Sequence, residues 1–574
     1  MKHRVKGRLL WLLLAMVIAL GILFYQSLSW HYEMRGEVTD LSGLPIESSG
    51  YEVVYAGGGP GKSFTVTGED PQFLMAVQNI QIGGIELVFH DAWQAKEPLP
   101  VQVFYMKSDE AFAEKHSVKG TLREGEASML LPVPLGTYQT LRFDMDGDFA
   151  LSAVRSCSAP MAAQAYVSSE TAEKCLWYFP AVIIGFSLIY WAHGVRKRQG
   201  GYTGRAYLKS IFLGPETSRE RAVYLDYLRV LAAVLVILAH TCSPMVDAAD
   251  ADWKRLVLVL GLSLGLCCNI LYVMLSGTLL LGGSRGRQQE GVLSFYIRRA
   301  SKVVIPLIAY YLLLLYLNHE VGFLPPRQIG AALKRVMTGA PDVGPHLWLI
   351  YTIAALYLVT PFFRVMVQHM SDTLLASLAV VVLVLNTLTT YLPLFGMAFG
   401  AATFLAGWEG VFLLGYILTR QDSVAGAPRR NRWILLAAAA SYIIMVLVVF
   451  LDSGKMNLVY GGTPPIVIAS SGIFVLFLKY KNWFQDKSNA VVRLCSKYSY
   501  SIILIHWYAL FVVVQGKLHI TALRFGCLGG IAASVAATFA VCLVMALVFD
   551  NTVVIVCNVL FDQVVHRGRK SGGN

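Results

Sequence analysis

The sequence predicts an α-helical polytopic membrane protein of about twelve transmembrane helices, two plus ten, with an all-β sandwich inserted on the extracytoplasmic side. Three observations make that prediction: composition, the length of the apolar runs and the placement of charge. Of 574 residues, 56% are hydrophobic and 15% charged, with a mean hydropathy of +0.55, against roughly 45–50% and 25% in soluble proteins. A soluble globule and a disordered chain are both excluded. Several runs reach the roughly 20 apolar residues that a helix needs to cross a bilayer. The net charge of +12 would suit a nucleic-acid binder if it were clustered on one soluble surface, but it is not. Residues 30–175 hold ten basic and twenty acidic residues, so the basic excess belongs to the apolar remainder, and no nucleic-acid partner is expected.

In chain order, a first span is expected near residues 9–28, a polar region to about Lys174, and a second span near 176–192. Ten more follow, near 224–243, 256–281, 303–317, 347–363, 373–391, 396–418, 433–451, 463–478, 498–515 and 525–549. With a cytosolic N-terminus, the inward segments carry 29 Lys and Arg and the short outward loops carry 8. The positive-inside rule then places both termini in the cytosol, and an even number of spans follows. The first span reads as retained, because Gly21-Ile-Leu-Phe-Tyr-Gln offers no small-x-small cleavage site. The expected organisation is a cytosolic N-terminus and first helix over 1–29, an outer domain over 30–175 and a second helix over 176–195. A basic cytosolic linker over 196–221, a ten-helix domain over 222–565 and a basic tail over 566–574 complete it.

The outer region reads as strands. Ile85-Glu-Leu-Val-Phe, Val101-Gln-Val-Phe-Tyr, Ser128-Met-Leu-Leu-Pro-Val and Leu141-Arg-Phe-Asp-Met are short, β-rich and bounded by turn residues. Ala56-Gly-Gly-Gly-Pro-Gly-Lys62-Ser63 fits a permissive phosphate loop, but Phe64-Thr-Val-Thr is strand-like where a helix should begin, so a turn is expected. Asp144-Met-Asp146-Gly-Asp148 imitates a calcium loop with Gly at the wrong position and Arg155 where the bidentate Glu should stand, so no metal is expected there. Cys157 and Cys175 are candidates for a disulfide on the oxidising side.

Ionisable groups inside hydrocarbon are expensive and mark function. The third span carries Asp226, Arg229 and His240, which fall within roughly 60° of one another at about 100° per residue and share one face. Asp226 can reach Arg229 at i+3. His240 lies about 16 Å further along the axis, with no partner in the local sequence.

At these residues the chain resembles the acyltransferase-3 integral membrane acyltransferases. Tyr224-Leu-Asp-Tyr-Leu-Arg-Val-Leu-Ala through His240 is similar to the family's opening helix, and Tyr272-Val-Met-Leu-Ser276-Gly277 to its Ser-Gly helix. Phe295-Tyr-Ile-Arg298-Arg299-Ala-Ser-Lys302 resembles its Arg-Arg-x-x-Arg motif, with Lys302 where Arg is usual. Pro345-His346-Leu-Trp348-Leu-Ile-Tyr351 resembles the His-Leu-Trp helix of the O-acetyltransferase branch. Phe412-Leu-Leu-Gly415-Tyr and Tyr498-Ser-Tyr-Ser-Ile-Ile-Leu-Ile-His506 extend the likeness over roughly 220–550.

The resemblance implies transfer of an acyl group, usually acetyl from cytosolic acetyl-CoA, to a hydroxyl of a cell-envelope glycan or lipid-linked saccharide at a bacterial inner membrane. It implies no permanently bound cofactor, and a homo-oligomer stays open. His240 is the expected general base, or alternatively an acyl-accepting nucleophile. Arg229, Arg298, Arg299 and Lys302 are the expected donor-phosphate ligands, and Asp226, Ser276, His346, Trp348, Tyr351, Tyr498 and His506 acceptor-side or supporting residues. Two other classes remain: a glycan exporter, because ten spans with a polar stripe also describe a transport path, and a sugar-sensing receptor. No His-x-x-x-x-Asp pattern occurs at His240, Asp247 being seven residues on.

Overall fold

The computed structural model describes residues 2–55, 61–68, 70–95, 97–107, 116–213, 221–282, 291–319, 326–339, 344–397, 407–420, 427–487 and 489–571. The chain forms two compact units, Met1–Phe186 and Ser187–Asn574.

The first unit begins with helix α1 (Lys2–Ser27) and continues into eleven strands. Strands β3 (Tyr51–Tyr55), β4 (Lys62–Val66), β11 (Phe149–Tyr166), β6 (Gly84–Phe89) and β9 (Ser128–Leu131) form one sheet in that order, with β1 (Ser29–Asp40) also paired to β11. Strands β2 (Ile46–Ser49), β5 (Gln72–Ile82), β10 (Gly136–Met145), β7 (Leu99–Met106) and β8 (Ser117–Leu122) form the other. Every pairing is antiparallel. Alternation decides the layers: in β10, Tyr138, Leu141, Phe143 and Met145 are buried, as period-two strands with one core face require. Phe64, Phe73, Phe143 and Phe149 stack at the centre, with centroids 4.6–4.7 Å apart.

Three of the four segments read as strands lie wholly in strands, and the one from Ser128 leaves β9 after Leu131, with Pro132 and Val133 outside it. The long ribbon β1–β11 was not legible, because its Ala- and Ser-rich half gives no apolar alternation. Ser29 pairs with Tyr166 at its base, and Thr171 donates to the Ser27 carbonyl at 2.5 Å, so the chain leaves α1 and enters α2 (Ser169–Gln199) at neighbouring points.

The disulfide for which Cys157 and Cys175 were candidates is not formed; both thiols are free. Cys157 is fully buried and donates to the Ala159 carbonyl, and β11 then carries the chain on the order of 30 Å before α2 begins. The acidic turn holds no metal cluster among the described residues: Asp144 pairs with Arg142 at 2.6 Å and Asp148 accepts from the Val66 amide.

Of the phosphate-loop look-alike, residues 56–60 lie outside the described residues, and Lys62 and Ser63 lie in β4. Lys62 is buried and donates to the carbonyls of Ser42 at 2.7 Å and Leu44 at 3.3 Å, with burial lowering its pKa. The ammonium is a structural tie. Lys62→Met leaves those carbonyls without their donor, a cost of about 1–3 kcal/mol. Amide exchange at 41–44 and 62–66 in the intact chain should therefore accelerate roughly five-fold or more; unchanged exchange would contradict the assignment.

The second unit is helical: α3 (Gly204–Phe212), α4 (Val223–Cys242), α5 (Asp252–Leu281), α6 (Val292–Arg299), α7 (Ile305–His319), α8 (Pro326–Met337), α9 (Trp348–Gln368), α10 (Asp372–Tyr391), α11 (Trp408–Arg420), α12 (Ala427–Leu451), α13 (Pro464–Lys479), α14 (Lys481–Asp486), α15 (Ala490–Tyr508), α16 (Cys527–Phe549) and α17 (Ile555–Ser571). Short π-helical stretches, Ala300–Val304 and Asp550–Val554, join α6 to α7 and α16 to α17, and a third, Ala509–Lys517, extends α15.

Among the described residues nine helices are long and apolar enough to cross a membrane, and Leu13–Tyr25 and Pro464–Lys479 are shorter apolar helices. The span expected near 396–418 is regular only from Trp408, residues 398–406 lying outside the described residues. The last helical run passes beyond 549, so Asp550 and Asn551 lie inside it.

Helix α4 packs against α5, and α5 against α11. At the second crossing Gly277 faces the Phe412 carbonyl and Gly415 faces the Met274 backbone so closely that neither position has room for a Cβ. Thr278 seals the crossing with a bond to the Gly415 carbonyl at 2.8 Å. Small residues that let backbones approach are how apolar helices associate in lipid.

Candidate active site

Helix α4 begins in an ion cluster. Arg221 donates to both Asp226 oxygens, at 2.6 and 3.0 Å. Arg229 approaches the same carboxylate at 3.3 Å, and Ser496 of α15 donates to it at 2.7 Å while accepting from Arg229 at 2.9 Å. The i+3 pair read from helical spacing is present. The nearer partner is Arg221, which precedes the helix and so escapes any periodicity. A buried carboxylate with three donors holds two guanidinium groups in place.

Both arginines line a cavity of about 830 Å³, the size of a small-molecule or cofactor site. Arg298, Arg299, Lys302, Ser276 and Tyr498, all read from the sequence, line it too, as do Arg196, Lys497, Asp550 and Asp562, which were not. Arg299 lies over the rings of Phe295 and Tyr357, at 5.3 and 5.5 Å. The two π stretches supply Ser301, Lys302, Asp550 and Asn551 to the wall; π insertions of this kind recur at functional sites. Tyr310 and Ser501 donate to Asp550 at 2.9 and 2.7 Å. Tyr272 adds a buried hydroxyl with no hydrogen-bond partner among the described residues.

A second, smaller cavity of about 160 Å³ lies further along α4. His240, His346, His506, Asn269, Tyr460 and Trp348 are on its wall. His240 is not alone, as its sequence position suggested. Its ring stacks on His506 at 5.2 Å and meets Trp507 edge-on at 5.0 Å, and His346 packs against His506 at 4.7 Å. Three imidazoles from three separate helical segments meet because α4 and α15 pack side by side and the short helix Pro345–Leu347 lays His346 across α15. His240 keeps its ring nitrogens clear of hydrogen bonds to other described residues. Trp348 faces Trp408 at 5.5 Å. Tyr351 stands apart from both cavities and donates to the Val336 carbonyl at 2.7 Å. Ile503 lines both cavities, so the two approach each other at this residue.

Residues 222–549 match the family model of the acyltransferase domain Acyl_transf_3. The chain belongs to the acyltransferase-3 family. It is a membrane acyltransferase. No curated protein matches it. Among solved structures, a low-affinity xylan-binding module, CBM86, from the gut symbiont Roseburia intestinalis aligns with 22% of this chain and 95% of its own, at 9% identity and a TM-score of 0.17.

The cationic cavity of this acyltransferase-3 protein is completed from outside the matched range. Arg196 of α2 lines it and pairs with Asp562 at 3.0 Å. Lys497 and Tyr498 donate to the carbonyls of Ser210 and Ile211 in α3, and His193 bridges the Tyr207 hydroxyl and the Asn551 carbonyl, each at 2.8 Å. In the sequence His193 reads only as part of the second span, and Arg196 to Ile211 only as a basic linker. Trp507 was legible in principle, as the neighbour of a singled-out histidine.

Proposed function

We propose that this protein transfers an acyl group, acetyl in the simplest case, from a coenzyme A thioester in the cationic cavity to a hydroxyl of an envelope glycan or lipid-linked saccharide at the histidine cavity. The carrying observation is the arrangement of the two cavities along α4 on either side of Ile503, one crowded with guanidinium and ammonium groups, the other with imidazoles. Coenzyme A carries a diphosphate and a ribose phosphate, for which Arg229, Arg298, Arg299 and Lys302 are suited ligands. Roughly 16 Å of helix rise separates Arg229 from His240, a span that an extended pantetheine arm bridges.

In the reaction, the acceptor O–H gives its proton to a His240 nitrogen while the oxygen attacks the thioester carbonyl. The C–S bond then breaks, and the thiolate leaves with the electron pair and takes up a proton. Tyr272, whose buried hydroxyl has no partner among the described residues and which lines the cationic cavity, is the hydroxyl this reading offers to negative charge developing on the thioester oxygen.

Exporter and receptor readings give the cations no donor to hold. Purified protein incubated with acetyl-CoA and an envelope glycan fraction should release free thiol and form alkali-labile ester. Glycan movement without thiol release would favour export.

The same reading puts the termini, the start of α12 at Arg430 and the turn at Lys487 in the cytosol of a bacterium and the β domain outside; Arg285 lies outside the described residues. Arg430→Cys should resist an impermeant thiol reagent in intact cells, whereas Glu124→Cys, exposed in the β domain, should react. Labelling at position 430 would reverse the orientation.

A further inference from the structure

The histidine cavity contains two imidazoles whose hydrogen-bonding roles are fixed by the backbone. His506 is fully buried, and its Nδ1 lies 2.7 Å from the Ile503 carbonyl. His346 is 7% exposed, and its Nε2 lies 3.1 Å from the Leu504 carbonyl. A carbonyl oxygen only accepts, so each of these nitrogens carries its proton toward the main chain. In a neutral ring the other nitrogen is then an acceptor. Those two atoms, His506 Nε2 and His346 Nδ1, are buried and have no hydrogen-bond partner among the described residues. Both rings line the smaller cavity, and a buried acceptor left unsatisfied is costly unless a ligand meets it.

The rest of the wall narrows the ligand. Asn269 spends its amide on the Tyr460 hydroxyl at 3.2 Å and accepts from Cys268. Among the described residues no carboxylate lines the cavity, so a cation finds no counter-charge from them. Among the described residues no group of three His, Cys, Asp or Glu is arranged to hold a metal ion. What fits two neutral acceptors is a pair of O–H donors. The volume of about 160 Å³ equals the share of roughly five waters, enough for a short polyol face and too small for an oligosaccharide.

We propose that His346 and His506 form a hydroxyl-reading subsite, which takes the hydrogens of two free hydroxyls of a polyol ring and so presents a third to His240. This deepens the proposed function by naming what the acceptor must carry: free hydroxyls flanking the one that reacts. His346 and His506 are positioning residues, and the selectivity rests on their acceptor nitrogens.

The amide isosteres separate this role from a structural one, because Asn places its polar atoms near Nδ1 and Gln near Nε2. His346→Gln and His506→Asn keep the bond to the backbone and lose the inward acceptor. His346→Asn and His506→Gln keep the inward acceptor and lose the backbone bond. Binding is read in the intact detergent-solubilised protein, without acyl-CoA, by tryptophan fluorescence, since Trp507 and Trp348 border the site. The probes are methyl α-glucopyranoside and its tetra-O-methyl ether.

The free glycoside should bind and the ether should not. His346→Gln and His506→Asn should each raise the glycoside Kd by about three- to ten-fold, the effect of one neutral hydrogen bond, while the reciprocal pair changes it less. Equal binding of the two probes, binding of neither, or the opposite order of variants overturns the subsite. Failure of thiol release in the wild-type protein would instead overturn the acyl-transfer reading and leave this binding result standing on its own.

Discussion

His240→Ala should lower acetyl transfer by about two to four orders of magnitude, the range removed with a general base, and leave donor binding near the wild-type level. The residue sits where the two cavities approach, with its ring nitrogens clear of hydrogen bonds to other described residues and its plane held by His506 and Trp507. A packed structural histidine would show the reverse pattern: lowered expression and thermal stability, with transfer per folded molecule retained. The substitution removes ring contacts as well as a base, so His240→Gln is the companion variant, filling more of the space without basicity. Loss of transfer in both, with normal elution as a monodisperse species, assigns the role to the nitrogen. Near-normal thiol release from either purified variant would contradict it.

The second large effect is expected at the donor. Arg298→Gln and Arg299→Gln should each raise the apparent KM for acetyl-CoA about ten-fold or more, since each charge-assisted phosphate contact contributes about 1.5–3 kcal/mol, and leave the acceptor KM unchanged. Arg299 is held between two rings, so its loss should also disturb Phe295, and its effect should exceed that of the exposed Arg298. Lys302→Arg should be neutral or mildly favourable, because it restores a forked donor. A topological role predicts otherwise: added Lys on the same loop would rescue insertion and activity together. Unchanged donor KM in both Arg variants, or full rescue by a neighbouring Lys, would place the donor elsewhere.

The helices and the polar stripe were legible because they depend on local regularities. Apolar runs reveal spans through hydropathy, and a period of about 100° per residue puts Asp226, Arg229 and His240 on one face without knowledge of any neighbour. The assembly of the histidine cavity was not legible in the same way. His346 meets the carbonyl of Leu504, 158 residues further along the chain and on the helix that carries His506, and only tertiary packing brings the two imidazoles to His240.

Arg221 was missed because it precedes the helix whose carboxylate it binds, and Asp550 because the expected span stopped one residue short of the π turn that carries it. Gly277 and Gly415, quoted only as parts of two separate motifs, turn out to be the two sides of one helix crossing. In the β domain, strands with alternating apolar residues were legible, while β11 was hidden by its Ala- and Ser-rich half. The Cys157–Cys175 pairing stayed open in the sequence because compartment permits a disulfide but geometry decides it, and here both thiols are free.

The central claim is that one polypeptide joins a coenzyme A thioester to a hydroxyl through the two cavities of α4. Its most direct test uses the full chain in nanodiscs with acetyl-CoA labelled in the acetyl group and a polyol acceptor, following label into alkali-labile ester. The account predicts stoichiometric thiol release and ester label in the wild-type protein, and neither above background in His240→Ala at equal donor occupancy. Ester formation that persists in His240→Ala, or thiol release that never appears as ester on any hydroxylated acceptor, would contradict it.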